Sequence, residues 1–351
     1  MKQIYFLLFL LISAIGFSQT EFTAIPDESF EEVLIDRGID SDGEVNGQVL
    51  TSDIAGVTTL EMSLERIFDL TGIEGFTALE VLDVSDNGLR SLNVTQNTAL
   101  TSLTVFGNGL TALDVTQNPA LTTLRVFENE LQSLDVSQNP ALETLDVGEN
   151  RFLTLNVSQN PALEVLNAFN NQLLTLDVSQ NPALTTLVVW RNSLTNLDLT
   201  QNPALTTLNV FNNPLRSLNV QNGNNENLTN FFANITPDLS CIQVDDPAFA
   251  ETNFTTVDAG VGFSTDCENF LSVDDFQLQG VVLSPNPTSS ILNIDIPSNV
   301  VLERIDMYDS VGQSLRGTQQ TTINVSDLSN GVYFLEIVTD KGRTTSRFIK
   351  R

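Results

Sequence analysis

A strict period of 21 residues runs through the middle of the chain and restricts the folds available to it. Each unit carries a leucine and an asparagine eight residues after it, and six of the seven units carry a second asparagine eighteen residues after the leucine, so these positions form three columns. The columns are Leu79, Leu100, Leu121, Leu142, Leu163, Leu184 and Leu205; Asn87, Asn108, Asn129, Asn150, Asn171, Asn192 and Asn213; and Asn97, Asn118, Asn139, Asn160, Asn181 and Asn202. One such unit cannot bury its own apolar face, so the period predicts a solenoid of seven stacked coils.

Each unit consists of two similar halves of the form LxxLxVxxN, as in LTTLRVFENELQSLDVSQNPA at residues 121–141. Side chains alternate along a strand, so the apolar residues of LxV face the same way. Coils stacked about 4.8 Å apart bury these residues as continuous columns. We therefore predict two parallel sheets on opposite sides of a flattened coil, one for each half, with asparagine bonding the backbone at the bends.

The first eighteen residues have the pattern of a secretory signal peptide. Lys2 supplies the positive start, an apolar run covers residues 4–15, and small residues flank Phe17 at a plausible cleavage position. The apolar run is shorter than the roughly 20 residues that span a bilayer. The pattern predicts a chain that is exported, loses residues 1–18 and has no membrane span when mature.

Segments on either side are expected to close the ends of the solenoid. We place an N-terminal cap at residues 19–56, with a short helix that begins after Asp27 and ends at Gly38. An imperfect first coil extends the solenoid to residues 57–222. Cys241 and Cys267 are the only cysteines, and an even pair in an exported chain favours a disulfide within a C-terminal cap at residues 223–269.

Composition excludes several classes of function. The chain has 44 acidic residues against 15 basic ones, whereas phosphate binding needs clustered Lys and Arg, so nucleic acid and anionic membrane surfaces are excluded as partners. The sequence contains no histidine. Histidine-based catalytic triads and histidine-ligated metal sites are therefore excluded as well.

The unit LxxLxVxxNxLxxLxVxxNxx resembles the leucine-rich repeat family, specifically its 21-residue bacterial class in which both halves carry the repeat signature. The resemblance covers residues 57 to 222. The expected fold class is mainly β: a leucine-rich-repeat solenoid with a short N-terminal helical cap, a disulfide-pinned C-terminal cap and a separate C-terminal β-sandwich.

The last part of the chain, residues 281–351, replaces the period with short alternating strands and turns, which predict a small β-sandwich. It resembles the type A C-terminal sorting domain of the type IX secretion system. The residues that carry this resemblance are Pro285, Asn286, Pro287, Gly312, Gly331, Tyr333 and Lys350. The resemblance implies recognition by the type IX machinery, a linker at residues 270–280, and a secreted or cell-surface location.

The two halves of the unit differ in variability. The second half repeats LDVSQNPA or a close variant, whereas the first half changes around its central valine. The residue after that valine is aromatic in five units, which we call the aromatic stripe: Phe106, Phe127, Phe169, Trp190 and Phe211. With Arg125, Glu128, Glu149 and Arg191 beside it, the stripe is the predicted site for a protein or polysaccharide ligand.

Three alternatives to a ligand-binding sheet stay open. The aromatic side chains could fold back over the strand edges and only fill space. The chain could be a structural surface or matrix component without a specific ligand. It could also be a carbohydrate-active enzyme that uses Glu128, Glu149 or Asp146, although the open sheet and the absence of any sign of a raised pKa argue against catalysis.

We expect no cofactor, with calcium as the alternative at two places. Asp40 and Asp42 alternate as in a calcium loop, but the remaining acidic ligands of an EF-hand, including the closing glutamate, are missing, which favours a solvated turn. On the constant face, calcium could bridge Asp114 with Asp135 or Asp177 with Asp198. Hydration and hydrogen bonds from neighbouring Ser and Thr explain the same pattern.

Overall fold

The computed structural model describes residues 21–267, 281–296, 300–309, 313–340 and 342–351. The predicted signal peptide, the predicted linker at 270–280 and Gly312 lie outside these described residues. The chain divides into two units, residues 1–265 and 266–351. No helix within the described part of the chain has the length and apolarity needed to cross a membrane.

The N-terminal cap consists of two short strands and two helices. They are β1 (Phe22–Ala24), α1 (Glu28–Asp36), β2 (Gln48–Leu50) and α2 (Thr51–Ile54), and β1 pairs with β2 in antiparallel orientation. The predicted helix is confirmed: the Asp27 side chain accepts a hydrogen bond from the backbone N–H of Phe30 at 3.1 Å, and Gly38 follows the helix with φ +67°. Phe30 and Leu34 are fully buried and join the solenoid core.

The first halves of the coils form one parallel sheet of nine strands. Its central leucines pair in register from coil to coil, as Leu103 with Leu124 and Leu124 with Leu145, and all three are fully buried. The strands are β3 (Thr59–Glu61), β4 (Val81–Asp83), β5 (Ser102–Thr104), β6 (Thr123–Arg125), β7 (Thr144–Asp146), β8 (Val165–Asn167), β9 (Thr186–Val188), β11 (Thr207–Asn209) and β13 (Asn230–Phe232). The 21-residue period therefore produces the stacked core that the sequence predicts.

A second parallel sheet is regular only at the C-terminal end of the solenoid. Its strands are β10 (Asn196–Asp198), β12 (Ser217–Asn219), β14 (Cys241–Gln243) and β15 (Gly262–Ser264). The prediction of a strand in every second half is wrong for the coils before Asn196. The local turn bond is the same in both regions: the N–H of Ser137 donates to Asp135 Oδ1 at 2.9 Å where no strand forms, and the N–H of Thr200 donates to Asp198 Oδ1 at 2.9 Å at the end of β10.

Buried asparagines connect each coil to the one before it. Asn139 is fully buried, and its Nδ2 donates to the carbonyl oxygens of Val115 at 3.0 Å and Asn118 at 2.9 Å. The same bonds, to carbonyls 24 and 21 residues earlier, recur in the column from Asn118 to Asn202. The predicted role of asparagine at the bends is therefore confirmed, and we call this column the asparagine ladder.

The C-terminal cap covers the last coil with β13, β14, β15 and the helix α3 (Pro247–Asn253). Phe254 follows α3, is buried and stacks on Phe231 with ring centroids 4.3 Å apart. The predicted disulfide between Cys241 and Cys267 is confirmed. Closing this loop stabilises the fold by about 3 kcal/mol through its effect on the unfolded chain.

The C-terminal unit contains two separate antiparallel sheets. One consists of β16 (Val282–Ser284), β17 (Ile291–Asp295) and β20 (Thr322–Asn324). The other consists of β18 (Leu302–Tyr308), β19 (Ser314–Thr318), β21 (Gly331–Thr339) and β22 (Gly342–Lys350). Both sheets contribute to one apolar core, with Leu292 from the first and Ile305 and Leu335 from the second fully buried, so the predicted sandwich is confirmed.

Candidate functional site: the aromatic stripe

The aromatic stripe follows directly after the strands of the nine-stranded sheet. The residue before each aromatic residue is buried, as Val126 and Ala168 are, whereas the aromatic residue itself is half-buried. Phe106 stacks on Phe127 with ring centroids 4.2 Å apart and an interplanar angle of 11°. Phe169 stacks on Trp190 at 4.8 Å and 13°. The spacing of the coils therefore aligns these rings into stacks along the solenoid.

Gly148 occupies the position between the two stacked pairs, and the ring of Phe169 lies against it. A Cβ atom at Gly148 would lie only 2.4 Å from Cε1 of Phe169, so the glycine leaves the space that this ring fills. Phe211 occupies the next position after Trp190 and is also half-buried. The rings thus pack against neighbouring coils, as the space-filling interpretation expects. Part of each ring also stays exposed to solvent, as a recognition surface requires.

In seven coils the residue one position after that of the stripe has a left-handed backbone conformation, and we call these residues the left-handed column. Their φ angles lie between +50° and +65° at Asp86, Gly107, Glu128, Glu149, Asn170, Arg191 and Asn212. Glycine and asparagine adopt this conformation readily, whereas other residues are strained in it. Three members of the predicted site, Glu128, Glu149 and Arg191, therefore occupy strained positions, and all three are exposed.

Charged and polar groups lie beside the stripe on adjacent strands. Asp146 accepts hydrogen bonds from the N–H of Gly148 and from Nδ2 of Asn167, both at 3.2 Å. The pKa of Asp146 is raised, because burial outweighs the lowering effects of these two hydrogen bonds and of the charge of the exposed Arg125. The expectation that no carboxyl group on this sheet has a raised pKa is therefore wrong. The guanidinium of Arg191 lies 5.4 Å from the ring centroid of Trp190.

The constant face contains short hydrogen-bonded turns. Asp114 Oδ1 accepts from the Thr116 hydroxyl at 2.7 Å and from the Thr116 N–H at 2.9 Å. These bonds lower the pKa of Asp114, and equivalent bonds from Ser137 and Ser179 lower the pKa values of Asp135 and Asp177. The aspartates of this face therefore have local partners, which supports the hydrogen-bonding explanation over calcium bridges.

Among the residues that carry the sorting-domain resemblance, Asn286 lies against the final strand of the C-terminal unit. Asn286 Oδ1 accepts from the N–H of Ile349 at 2.9 Å, and its Nδ2 donates to the carbonyl of Arg347 at 3.0 Å. Tyr333 donates its hydroxyl to the carbonyl of Ser329 at 2.8 Å. Lys350 is buried and forms a bridge with Thr288, which joins the final strand to the segment that follows Pro285 and Pro287.

Comparison with known families identifies the C-terminal part. Residues 283–351 match the family model described as a secretion system C-terminal sorting domain. The type IX sorting domain shows that the protein is exported to the cell surface or secreted. No curated protein matches the sequence.

Solved structures similar to this chain include proteins from the bacteria Listeria monocytogenes and Leptospira interrogans. The functional domain of InlJ from Listeria monocytogenes is 28% identical with a TM-score of 0.48, and the match covers 65% of this chain and 58% of that domain. Internalin C2 from L. monocytogenes is 21% identical with a TM-score of 0.49, covering 55% of this chain and 90% of that one. A leucine-rich-repeat protein from Leptospira interrogans is 24% identical with a TM-score of 0.42, covering 54% and 59%. The chain thus spans less than two thirds of the InlJ domain.

Proposed function

We propose that this chain, an exported protein with a type IX sorting domain, is a non-catalytic binding protein. It recognises an extracellular protein or polysaccharide through the aromatic stripe and the charged residues beside it. The stripe, the left-handed column and the groups around Asp146 all lie at one edge of the nine-stranded sheet. This edge is where coils that are otherwise nearly identical differ most from one another.

The observation that carries the proposal is the placement of charged residues at strained positions. A non-glycine residue in the left-handed conformation costs about 1 kcal/mol or more, and asparagine reduces that cost. The same column accepts glycine at Gly107 and asparagine at Asn170, yet holds Glu128, Glu149 and Arg191 elsewhere. Since these residues weaken the fold relative to asparagine, a role in recognition explains why they stand there.

The rings supply the apolar part of the same surface. Aromatic residues are frequent energetic centres of protein interfaces, and their faces also stack on sugar rings. Phe127 and Trp190 are each held by a stacked neighbour, so little rotamer freedom is lost when a ligand binds. The stripe is therefore a preorganised surface of alternating apolar and charged groups.

A triple substitution tests the role of the rings. Phe127, Phe169 and Trp190 are replaced together by alanine, and binding is measured on arrays of extracellular proteins and purified polysaccharides. The matched control replaces Leu153 and Leu174, which are exposed apolar residues outside the stripe. We expect the triple variant to lose binding while its circular dichroism spectrum stays that of a folded solenoid. Binding that survives in the triple variant, or arrays silent with the parent chain, would contradict the proposal.

A single substitution separates binding from stability. Glu149→Asn relieves backbone strain, so we expect the free energy of unfolding to rise by about 0.5–1 kcal/mol. Binding should weaken at least threefold in the same variant. Asn170→Glu is the reverse control in the next coil, where stability should fall by a similar amount. A Glu149→Asn variant that is more stable and binds as well as the parent would exclude Glu149 from the site.

A further inference from the structure

The loop between α1 and α2 brings together acidic side chains without a cationic partner. Asp40, Asp42 and Asp53 lie on this loop and the start of α2, and Glu31 faces it from α1. Their charges act on one another, since Asp42, Glu31 and Asp53 all interact electrostatically with Asp40. None of the ion pairs found in the described residues includes any of the four. Such a concentration of negative charge destabilises the fold unless a cation neutralises it.

One oxygen of this group is buried and lacks a partner. Asp40 is 4% exposed, and its Oδ1 accepts the N–H of Asp42 at 3.3 Å. Its Oδ2 is fully buried and has no hydrogen-bond partner. A buried carboxylate oxygen in proteins is normally hydrogen-bonded, paired with a cation or bound to a metal. The unpartnered oxygen therefore indicates a cation ligand rather than a solvated turn.

The remaining acids hold the loop around Asp40. Glu31 is 1% exposed and accepts the N–H groups of Asn46, Gly47 and Gln48 at 2.9–3.0 Å. Asp53 Oδ2 accepts the N–H of Ser41 at 3.2 Å, which places the start of α2 against the beginning of the loop. The loop is thus anchored at both ends by bonds to Glu31 and Asp53.

The spacing of the loop fits calcium once it is counted from Asp42. The twelve residues DGEVNGQVLTSD place Asp42, Glu44 and Asn46 at positions one, three and five, Gly47 at six and Asp53 at twelve. This is the spacing of oxygen ligands and the turn glycine in an EF-hand loop. Gly47 has φ +84°, as a turn at this position needs. The closing glutamate of an EF-hand is absent, and Asp53 stands at that position instead.

We propose that residues 40–53 bind one Ca²⁺ ion, with the buried carboxylate of Asp40 and the side chains of Asp42, Asn46 and Asp53 as ligands. Every donor is an oxygen, which selects calcium over zinc or copper. Among the described residues no three acidic, histidine or cysteine side chains converge on one point. Binding therefore requires the exposed side chain of Asp42, whose oxygens accept the N–H of Glu44 and Nδ2 of Asn46 at 2.9 Å, to turn toward Asp40.

Calorimetry and thermal unfolding of the purified chain test the proposal. The chain is treated with a chelator and titrated with CaCl2, and in a parallel experiment with MgCl2. We expect one calcium ion per chain and a rise in Tm of about 3 °C at saturating CaCl2. Asp53→Asn should weaken calcium binding at least tenfold. The matched control, Asp135→Asn, removes a carboxylate of the constant face and should bind calcium as the parent does.

Asp40→Asn distinguishes a calcium ligand from a structural residue. Without calcium this variant should have a higher Tm than the parent, because it removes an unpaired buried charge. With calcium its Tm should not rise further. The proposal is overturned if the parent shows neither heat nor a change in Tm. It is equally overturned if Asp135→Asn loses calcium as Asp53→Asn does, if MgCl2 binds more tightly than CaCl2, or if Asp40→Asn and Asp53→Asn both keep the full rise in Tm.

Discussion

Replacement of Asn139 by alanine tests whether the asparagine ladder holds the coils together. The Nδ2 group of Asn139 donates to the carbonyls of Val115 and Asn118 in the preceding coil. Each carbonyl also accepts a backbone N–H, from Asn118 and Leu121 respectively, both at 3.1 Å. The alanine variant therefore leaves each carbonyl with one bond instead of two, and it leaves a small cavity.

The expected loss follows from these contacts. Two net hydrogen bonds contribute about 1 kcal/mol each, and the cavity left by the amide adds up to about 1 kcal/mol. We therefore expect Asn139→Ala to lower the free energy of unfolding by about 2–3 kcal/mol. Asn139→Asp should lose more, about 3–5 kcal/mol at pH 7, because a carboxylate cannot donate and its charge is buried against two carbonyl oxygens.

Urea unfolding followed by circular dichroism measures these losses. The matched control is Gln138→Ala, since Gln138 is exposed and its Nε2 reaches only the hydroxyl of Ser137 at 3.3 Å. The control should lie within about 0.5 kcal/mol of the parent. A loss below about 1 kcal/mol for Asn139→Ala, or one equal to the control, would refute the role given to the ladder.

Two further predictions concern the stripe. Gly148→Ala should displace the ring of Phe169 and cost about 1–3 kcal/mol through overpacking; the fluorescence of Trp190, the single tryptophan, should change, whereas Gly109→Ala, whose added Cβ meets only ordinary contacts, should leave it unaltered. Asp146→Asn should stabilise the fold at pH 7, because burial raises the pKa of Asp146 and the folded state binds its proton more tightly than the unfolded state. The stabilisation should disappear as the pH falls below about 3.9, the ordinary pKa of an aspartate, and a constant difference in unfolding free energy between pH 3 and pH 7 would contradict it.

The fold is predictable from the sequence where one interaction repeats in every coil. The leucine and valine columns and the asparagine ladder recur at a fixed interval, so each copy confirms the others. The extent of the second sheet is not predictable in this way. The turn bond to the residue two positions earlier is the same at Ser137, where no strand forms, and at Thr200, which follows β10, so this local pattern does not mark where pairing begins.

The candidate site is predictable in position but not in conformation. The aromatic column follows from the period, whereas the tilt of Phe169 over Gly148 depends on space that appears only when two coils stack. The sequence does indicate the left-handed column, because Gly107, Asn170 and Asn212 are residue types that favour this conformation. The sequence does not indicate the raised pKa of Asp146, since burial of a carboxyl group depends on its neighbours in space.

The asparagine ladder also makes the coils interchangeable. The side chain of each asparagine in the ladder bonds the coil before it, and each internal coil accepts the same bonds from the coil after it. A gene segment that encodes one unit of 21 residues can therefore be duplicated or deleted without disturbing either cap. Each such event lengthens or shortens the aromatic stripe by one position, about 4.8 Å. Recombination between units therefore changes the length of the surface, whereas point mutations change its side chains.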